Sequence, residues 1–248
     1  MTVPDDPAAP DDDPGVRRAR RQTIAADYDA GAAGYDARHG DPVSRARARV
    51  LDAPLLAAAR GAARVLELGV GTGRLLAQVR APVRVGIDVA PAMLAQARTR
   101  GLALALADGE RLPFADASFD AVLAGKGVLR YLDPDRALAE VARVLRPEGA
   151  LGVHLYGART WTLLGRPPTP AQGRWELATT ADLIDRARAH GLAAVAVRRY
   201  RPIRIPPYLL AIPAWVDRRV PVQLWGHCVA VLRRVTGPTP AANPRPRP

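Results

Sequence analysis

The segment VLELGVGTG, residues 65–73, places Gly69, Gly71 and Gly73 at alternate positions after a short apolar run. Glycines at such a turn let the backbone approach a ligand closely and let a helix begin beside it. A P-loop would need a Gly-Lys-Ser/Thr sequence directly behind the turn, and none follows. A dinucleotide fingerprint would need its third glycine at the position that Arg74 occupies. The pattern therefore favours a ligand that has a nucleoside end but no phosphate.

Two carboxylates stand at the ends of the next two apolar runs. Asp88 ends the run VRVGID, nineteen residues after Gly69, where a carboxylate can accept both hydroxyls of a ribose. Asp108 follows the third run, and an acidic group there can accept from the amino group of an adenine. Parallel strands end at one edge of a sheet, where open α/β sheets bind their ligands. The glycines and the two carboxylates together predict a nucleoside site at this edge.

A regular alternation of strand-like and helix-like segments positions these residues. Apolar runs of strand length cover 63–68, 82–87, 102–107, 119–124 and 149–156. Helical patterns cover 74–80, 91–100 and 134–146. Strands that alternate with helices indicate βαβ units. We therefore expect an α/β fold, a Rossmann-like and mostly parallel sheet with helices on both faces.

The segment before this alternation is predicted to be a tail followed by helices. Residues 1–16 are acidic and proline-rich, cannot form a core, and are expected to be disordered. Residues 17–60 have helical patterns and include the pairs Tyr28-Asp29 and Tyr35-Asp36. Pro54 is expected to kink or end the helix over 43–60.

The segment after the alternation completes one predicted domain over residues 17–236. The expected elements are a connection over 157–175, a helix over 179–191, strands over 192–201 and 225–235, and a disordered tail over 237–248. Connections of this length usually serve as lids or binding loops, so 157–175 is the expected acceptor-side insertion.

The charge of +12 raises the question of a nucleic-acid partner. Residues 198–248 hold ten arginines and one aspartate, so most of the excess lies in the last fifth of the chain. Lys126 is the only lysine in the sequence, and heavy arginine, alanine and proline usage is typical of GC-rich coding. Compositional bias and a solvated basic surface are therefore favoured over nucleic-acid binding.

Composition also limits where the protein works. The single cysteine, Cys228, excludes an internal disulfide framework and a cysteine-based zinc site. No apolar stretch approaches the roughly 20 residues that a membrane span needs. The N-terminal segment lacks the apolar core of a signal peptide. We expect a soluble, cytoplasmic protein, with no metal constellation visible and an oligomeric state that the sequence leaves open.

Four segments in combination resemble one family. VLELGVGTGRLL, GIDVAPAMLAQAR, LADGERLPFADASFDAVLA and LRYLDPDRALAEVARVLRPEGAL are similar to class I S-adenosylmethionine-dependent methyltransferases. The resemblance covers about residues 20–235 and is strongest to the branch of quinone-biosynthesis and other small-molecule methyltransferases. It implies a seven-stranded sheet with an antiparallel last strand. It also implies S-adenosyl-L-methionine as cofactor and a small-molecule acceptor methylated at carbon or oxygen by in-line displacement.

The resemblance assigns expected roles to the cofactor-binding residues. Glu67, Gly69, Gly71 and Gly73 would line the methionine half, Asp88 the ribose, Val89 and Met93 the adenine faces, and Asp108 with Gly109 the adenine edge, while Tyr28 and Tyr35 would cover the site. Three alternatives stay open: Met93 as a core residue, Glu67 as a partner of nearby backbone, and Asp88 as a helix cap.

The acceptor side offers fewer signals. His154, near the end of the fifth strand, is a candidate base, with Tyr156 as a second, and both could equally be packing residues. The loop after the fourth strand, AGKGVLRYLDP, departs from the family's usual residues. There Lys126, with Arg130, is a candidate for binding an anionic or enolic acceptor, the alternative being an exposed chance lysine.

Three other functions are weighed against a small-molecule methyltransferase. A nucleic-acid methyltransferase would suit the C-terminal arginines, but the Asn/Asp-Pro-Pro-aromatic run of base-amine methylases is absent after strand four. A non-catalytic S-adenosylmethionine-binding protein would keep the same cofactor residues. Residues 202–224 mix Trp, Leu and Arg as interfacial segments do, although Pro213 and Pro221 favour a packed connector over membrane contact.

Overall fold

The computed structural model describes residues 13–156, 180–200 and 227–235. Its strands are β1 (Arg64–Leu68), β2 (Val83–Asp88), β3 (Ala103–Leu106), β4 (Phe119–Ala124), β5 (Leu145–Tyr156), β6 (Leu192–Tyr200) and β7 (His227–Arg234). The expected connection over 157–175, the possible membrane segment over 202–224 and the tail over 237–248 lie outside the described residues.

The seven strands form one sheet in the order β3-β2-β1-β4-β5-β7-β6. Strands β1 to β5 pair in parallel, and β7 runs antiparallel to both β5 and β6. The predicted Rossmann-like sheet with an antiparallel last strand is therefore confirmed. The strand order reverses between β1 and β4, and such a switch point opens a crevice at the carboxyl ends of the strands.

Along the described chain, helices lie before, between and after the strands. They are α1 (Pro14–Gly31), α2 (Tyr35–Arg38), α3 (Pro42–Ala58), α4 (Pro91–Arg98), α5 (Pro134–Val144) and α6 (Thr180–Ala189), with 3₁₀ turns at Ala32–Gly34, Leu76–Gln78 and Val128–Tyr131. In the part of the chain that the structure covers, no helix has the length and apolar character of a membrane span.

The first helix begins earlier than expected. The carboxylate of Asp13 accepts a hydrogen bond from the Gly15 amide, which caps the helix, and Pro14 takes its first position. The expected disorder of residues 1–16 is therefore wrong for its last residues, and residues 1–12 lie outside the described chain. Helix α3 also continues through Pro54. The carbonyl that loses its partner there belongs to Val50, which is exposed, so that water can replace the bond.

Two other predicted helices are shorter in the structure. The helix expected over 74–80 is only the 3₁₀ turn at Leu76–Gln78, because the backbone is already extended at Val79. The helix expected over 134–146 ends at Val144. The carbonyls of Arg143 and Val144 accept from the amides of Ala117 and Ser118, so the chain turns directly into β5.

Alternate residues of the central strands face two apolar layers. Leu66 of β1 and Val122 of β4 pack with α5, whereas Val65 and Leu123 pack with α3. Cys228 is buried in the first layer, as predicted for a core strand. By this alternation, position 67 of β1 faces the α3 side of the sheet.

Close packing of the glycine turn on β2 yields a testable prediction. A Cβ on Gly86 would lie 2.6 Å from Cγ2 of Val70, whose amide donates to the Ile87 carbonyl at 2.8 Å. We expect Gly86→Ala to lower the free energy of unfolding by about 1–3 kcal/mol, because the added methyl pushes the turn off the strand. Urea unfolding measures this loss.

The double variant Gly86→Ala/Val70→Ala is the control, since removing the valine methyls makes room for the new one. Its loss of unfolding free energy should be smaller than the sum of the losses in the two single variants, Val70→Ala and Gly86→Ala. A single Gly86→Ala variant as stable as the natural protein would contradict the close approach.

Candidate functional site

A cavity of about 320 Å³ opens at the carboxyl edge of the sheet. Its lining includes most of the predicted site residues: Tyr28, Tyr35, Glu67, Gly69, Gly71, Asp88, Val89, Met93, Asp108, Gly109, Lys126 and His154. Gly73 and Arg130 are not among its lining residues. Tyr156 ends β5, and its side chain lies outside what the structure describes. The structure thus brings together residues from the ends of five strands and from α1, α2 and α4.

The three glycines of the turn adopt left-handed backbone conformations. Gly69, Gly71 and Gly73 have φ values of +60°, +53° and +81°, which side-chain-bearing residues rarely adopt. Gly69 and Gly71 line the cavity. Gly73 does not, and a Cβ there would lie 2.7 Å from Leu102, so its expected place on the methionine half stays a prediction. Its role in this structure is close packing of the turn.

Asp88 ties the glycine turn to the following helix. One carboxylate oxygen accepts from the Gly71 amide at 2.8 Å, and the other accepts from the Ala90 amide at 3.0 Å. Burial raises the pKa of this carboxyl, and the backbone hydrogen bonds partly offset that shift. Asp88 therefore holds the glycine turn against the residue that precedes α4. Its carboxylate oxygens keep acceptor capacity for a ligand hydroxyl.

Glu67 presents an unsatisfied oxygen to the cavity. The residue is 3% exposed, and Oε2 has no hydrogen-bond partner among the described residues. Burial, followed by the nearby Asp52 carboxyl, raises the pKa of Glu67 well above its usual value. A buried polar atom without a partner is costly, typically 1–3 kcal/mol. An amine or hydroxyl of a bound ligand would remove this cost.

Asp52 is a site residue that the sequence prediction missed. It lies on α3, is 5% exposed and lines the cavity. Burial raises its pKa, against the charge of Lys126 and a hydrogen bond from Gln78. Its position between Leu51 and Leu55, on the apolar face of a helix, was the available signal.

The Asp108 end of the cavity is bounded by α1 and the loop before α5. Arg21 of α1 forms an ion pair with Asp108, whose other oxygen accepts from the Glu110 amide at 3.0 Å. Gly109 lies beneath Leu132, where a Cβ would come within 2.7 Å of that side chain. This end therefore has a carboxylate and a close backbone approach, as the nucleoside prediction requires.

Two aspartates hold the α1–α2 segment over the cavity. Asp29 accepts from the Ala92 amide at 2.8 Å, which gives α4 a cap from another helix. Asp36 accepts from the Thr72 hydroxyl at 2.7 Å and pairs with Arg100. Each aspartate directly follows a tyrosine that was expected to cover the site, namely Tyr28 and Tyr35. Each Tyr-Asp pair therefore supplies an aromatic side chain that lines the cavity and a carboxylate that holds the segment by hydrogen bonds.

Aromatic contacts close the same side. The hydroxyl of Tyr28 lies 3.0 Å from that of Tyr131, and the two rings meet edge to face. Met93 is 1% exposed and packs with Tyr28 and Tyr35 while also lining the cavity. Met93 is therefore a core residue that also borders the cavity, and its role at the adenine stays a prediction. Tyr131 is a second residue that the sequence prediction missed.

A pair of histidines, one on β5 and one on β7, lines the cavity. His154 of β5 is 2% exposed, and its Nε2 lies 3.0 Å from Nδ1 of His227, with the rings stacked. Burial, then the neighbouring His227 and the charges of Lys126 and Arg47, lowers the pKa of His154 to about 3. Burial and Arg47 lower the pKa of His227 to about 4. Both imidazoles are uncharged at neutral pH.

The cations beside this pair differ from those predicted. Lys126 lines the cavity as expected, but Arg130 does not, because its guanidinium lies against the Tyr131 ring at 5.4 Å from the centroid. Arg47 of α3 lines the cavity instead. It stands among other arginines on α3, and the sequence offers no signal that separates it from them.

Parts of this chain are similar in sequence to known proteins. Residues 66–153 match the family model described as a methyltransferase domain. The chain is 42% identical over 119 residues to a demethylmenaquinone methyltransferase of Thermus thermophilus, covering 44% of this chain and 53% of that protein. It is 32% identical over 164 residues to a malonyl-[acyl-carrier protein] O-methyltransferase of Methylococcus capsulatus, covering 61% and 58%. The chain thus spans about half the length of these relatives.

Solved structures share the fold over a longer stretch. The [4+2]-cyclase SpnF superposes with a TM-score of 0.65 at 25% identity, covering 88% of this chain and 97% of that one. A Burkholderia thailandensis 1,6-didemethyltoxoflavin-N1-methyltransferase superposes with a TM-score of 0.59 at 21% identity, covering 95% and 94%.

The sheet order is that of the Rossmann-like class I methyltransferase fold, and residues 66–153 are similar to the methyltransferase-domain family.

The uncharged histidine pair predicts a measurable acid sensitivity. Both folded pKa values lie below the ordinary 6.5, so the unfolded chain binds more protons as the pH falls from about 6.5 to about 4. Stability contributed by the neutral pair is therefore present above that range and is lost as the pH falls through it. Each imidazole steepens the loss by up to about 1.4 kcal/mol per pH unit.

Chemical denaturation between pH 7 and pH 4 tests this expectation. His154→Gln/His227→Gln should show a flatter fall of the unfolding free energy than the natural protein. Equal slopes for the double variant and the natural protein would refute neutral burial of the pair.

Proposed function

We propose that this protein transfers a methyl group from S-adenosyl-L-methionine to a small-molecule acceptor. The observation that carries the proposal is the unpartnered, buried Oε2 of Glu67 at the edge of a left-handed glycine turn. A ligand with an amine at one end and a nucleoside at the other would satisfy Glu67 and extend toward Asp108. The donor set thus fits the cofactor on chemical grounds.

The proposed contacts follow the lining of the cavity. Glu67, Gly69 and Gly71 would hold the amino-acid half, Asp88 the ribose, Val89 and Met93 the adenine faces, Asp108 and Gly109 the adenine edge, with Tyr28 and Tyr35 as the cover. Because Arg21 now pairs with Asp108, binding of an adenine amino group there requires Arg21 to share that carboxylate.

When bound, the cofactor would supply a methyl group already activated on a sulfonium sulfur. The chain's own contribution is then alignment and exclusion of water rather than bond polarisation. Hydrogen bonds to Asp29 and Asp36 hold α1 and α2 over the cavity. The hydrogen bond from the Gly71 amide to Asp88 fixes the glycine-turn backbone that would face the ligand. The histidine pair and the two cations border the space left for an acceptor.

A small-molecule acceptor is supported by the relatives' names, which specify demethylmenaquinone and malonyl-acyl-carrier-protein substrates for those proteins. The proposal includes the cytoplasmic location expected from the sequence.

A second candidate keeps the cofactor and omits methyl transfer. It is favoured by one observation: the neighbour with a TM-score of 0.65 is described as a [4+2]-cyclase rather than a methyltransferase. Appearance of S-adenosylhomocysteine only in the presence of an acceptor would exclude it.

Glu67→Gln tests the proposed cofactor contact. The amide has nearly the same size, but it removes the charge that would accept from a ligand amine, so we expect S-adenosylhomocysteine to bind about tenfold more weakly or worse. Thermal stability should not fall, because a neutral group replaces a carboxyl whose pKa burial has raised. Isothermal titration calorimetry measures the affinity.

Glu148→Gln, an exposed residue that does not line the cavity, is the matched control and should bind like the natural protein. Unchanged affinity in Glu67→Gln would return this residue to the alternative of a purely backbone contact. Absence of S-adenosylhomocysteine binding to the natural protein would overturn the proposed function itself.

A further inference from the structure

Two buried carboxyls lie at the end of the cavity beside the glycine turn. Asp52 of α3 is 5% exposed and Glu67 of β1 is 3% exposed, and both line the cavity. A Cβ on Gly125 would lie 3.6 Å from Oε1 of Glu67 and 3.8 Å from Cδ1 of Leu55. Leu55 lies one helical turn after Asp52, on the same face of α3. Helix α3 and Glu67 therefore approach the same glycine, and the fold places two acidic side chains at one end of the cavity.

Neither carboxyl is neutralised by a cation in contact with it. Among the residues that the structure describes, Asp52 and Glu67 form no salt bridge. Gln78 donates a hydrogen bond to Asp52, whereas Oε2 of Glu67 has no hydrogen-bond partner within the same part of the chain. Burying a carboxylate without a paired charge is costly, and a second carboxylate nearby adds repulsion.

Other charged groups act on the two carboxyls from three further elements. These groups are Lys126 in the loop after β4, Arg74 directly after the glycine turn and Asp88 at the end of β2. Burial, followed by the repulsion from Asp52, nevertheless raises the pKa of Glu67, and burial raises the pKa of Asp52 as well. One proton held between the two carboxyls removes their repulsion, and it belongs to the pair rather than to either residue.

The position of the pair suits the amino-acid end of the proposed cofactor. Strands β3, β2 and β1 are consecutive in the sheet, so Asp108, Asp88 and Glu67 follow one another across its carboxyl edge. A ligand whose nucleoside end lies at Asp108 and Asp88 therefore directs its other end toward Glu67. An ammonium group has three N–H donors, which two carboxylates can share.

Resting on the proposed function, we infer that Asp52 and Glu67 together bind the ammonium group at the amino-acid end of the cofactor, and that in the cofactor-free protein the pair holds one proton, which it releases to solvent on binding. One carboxyl O–H bond breaks, its electrons stay on oxygen, and the proton passes to water. The two carboxylates then share one ammonium, whose charge replaces that of the lost proton. Affinity for the cofactor therefore rises with pH wherever the cofactor-free pair still holds its proton.

Calorimetric titration with S-adenosylhomocysteine counts the released proton. The protein is titrated at pH 6 in two buffers that differ in ionisation enthalpy, because the difference between the measured enthalpies gives the number of protons released. The ligand's own amino group stays protonated at this pH. We expect release of about one proton from the natural protein.

Asp52→Asn tests the contribution of α3 to the pair. The remaining Glu67 carboxyl no longer has an acidic neighbour on α3, so it holds the proton less firmly and releases less than half of one proton on binding. Affinity for S-adenosylhomocysteine should fall about tenfold, the scale of one charged hydrogen bond. Asp27→Asn is the matched control, because Asp27 is exposed on α1 and does not line the cavity. It should match the natural protein in both measurements.

A second ligand, 5′-methylthioadenosine, separates this role from a structural one. It keeps the nucleoside and the sulfur but lacks the amino-acid end, so it should release no proton and should bind the natural protein and Asp52→Asn equally well. Equal losses of affinity for both ligands in Asp52→Asn would assign Asp52 a purely structural role and overturn the inference.

Two further results would overturn the inference while S-adenosylhomocysteine still binds. One is binding to the natural protein without proton release, and the other is unchanged proton release and affinity in Asp52→Asn. Failure of S-adenosylhomocysteine to bind the natural protein would overturn the proposed function, and this inference with it.

Discussion

The carboxylate of Asp88 links the glycine turn to the segment that precedes α4. Its two oxygens join the Gly71 amide of the left-handed turn to the Ala90 amide ahead of α4. With Gly86 allowing Val70 to pack on β2, this tie fixes where the backbone of the turn faces the cavity. Glu67 and Asp108 are positioned relative to that turn because β1, β2 and β3 are neighbouring strands of one sheet.

The charge distribution of the cavity is asymmetric. Carboxyls line the glycine-turn side, namely Glu67, Asp88 and Asp108. Arg47 and Lys126, which form no salt bridge with the residues that the structure describes, line the cavity together with the histidine pair. A ligand with a cationic amino-acid end favours the first region, and an anionic acceptor favours the second. The asymmetry gives a physical reason for two different small molecules to occupy one cavity in a defined arrangement.

The parts of the structure that follow from local sequence were predictable. Strand-length apolar runs, helix-starting prolines and the glycine turn depend on neighbouring residues, so the sheet and most of the nucleoside side could be derived from them. The shortened helices depend on more distant partners: Val144 ends α5 because its carbonyl bonds Ser118. Arg47 and His227 could not be found for the same reason, since the register of β7 against β5 and the packing of α3 bring them to the cavity.

A structure of the protein with S-adenosylhomocysteine bound tests the central claim most directly. The account predicts the amino group of the ligand at Glu67, its ribose at Asp88, its adenine between Val89 and Met93, and its sulfur facing the space bordered by Lys126 and His154. A ligand bound in the reverse direction, or one whose sulfur faces away from that space, would contradict the account.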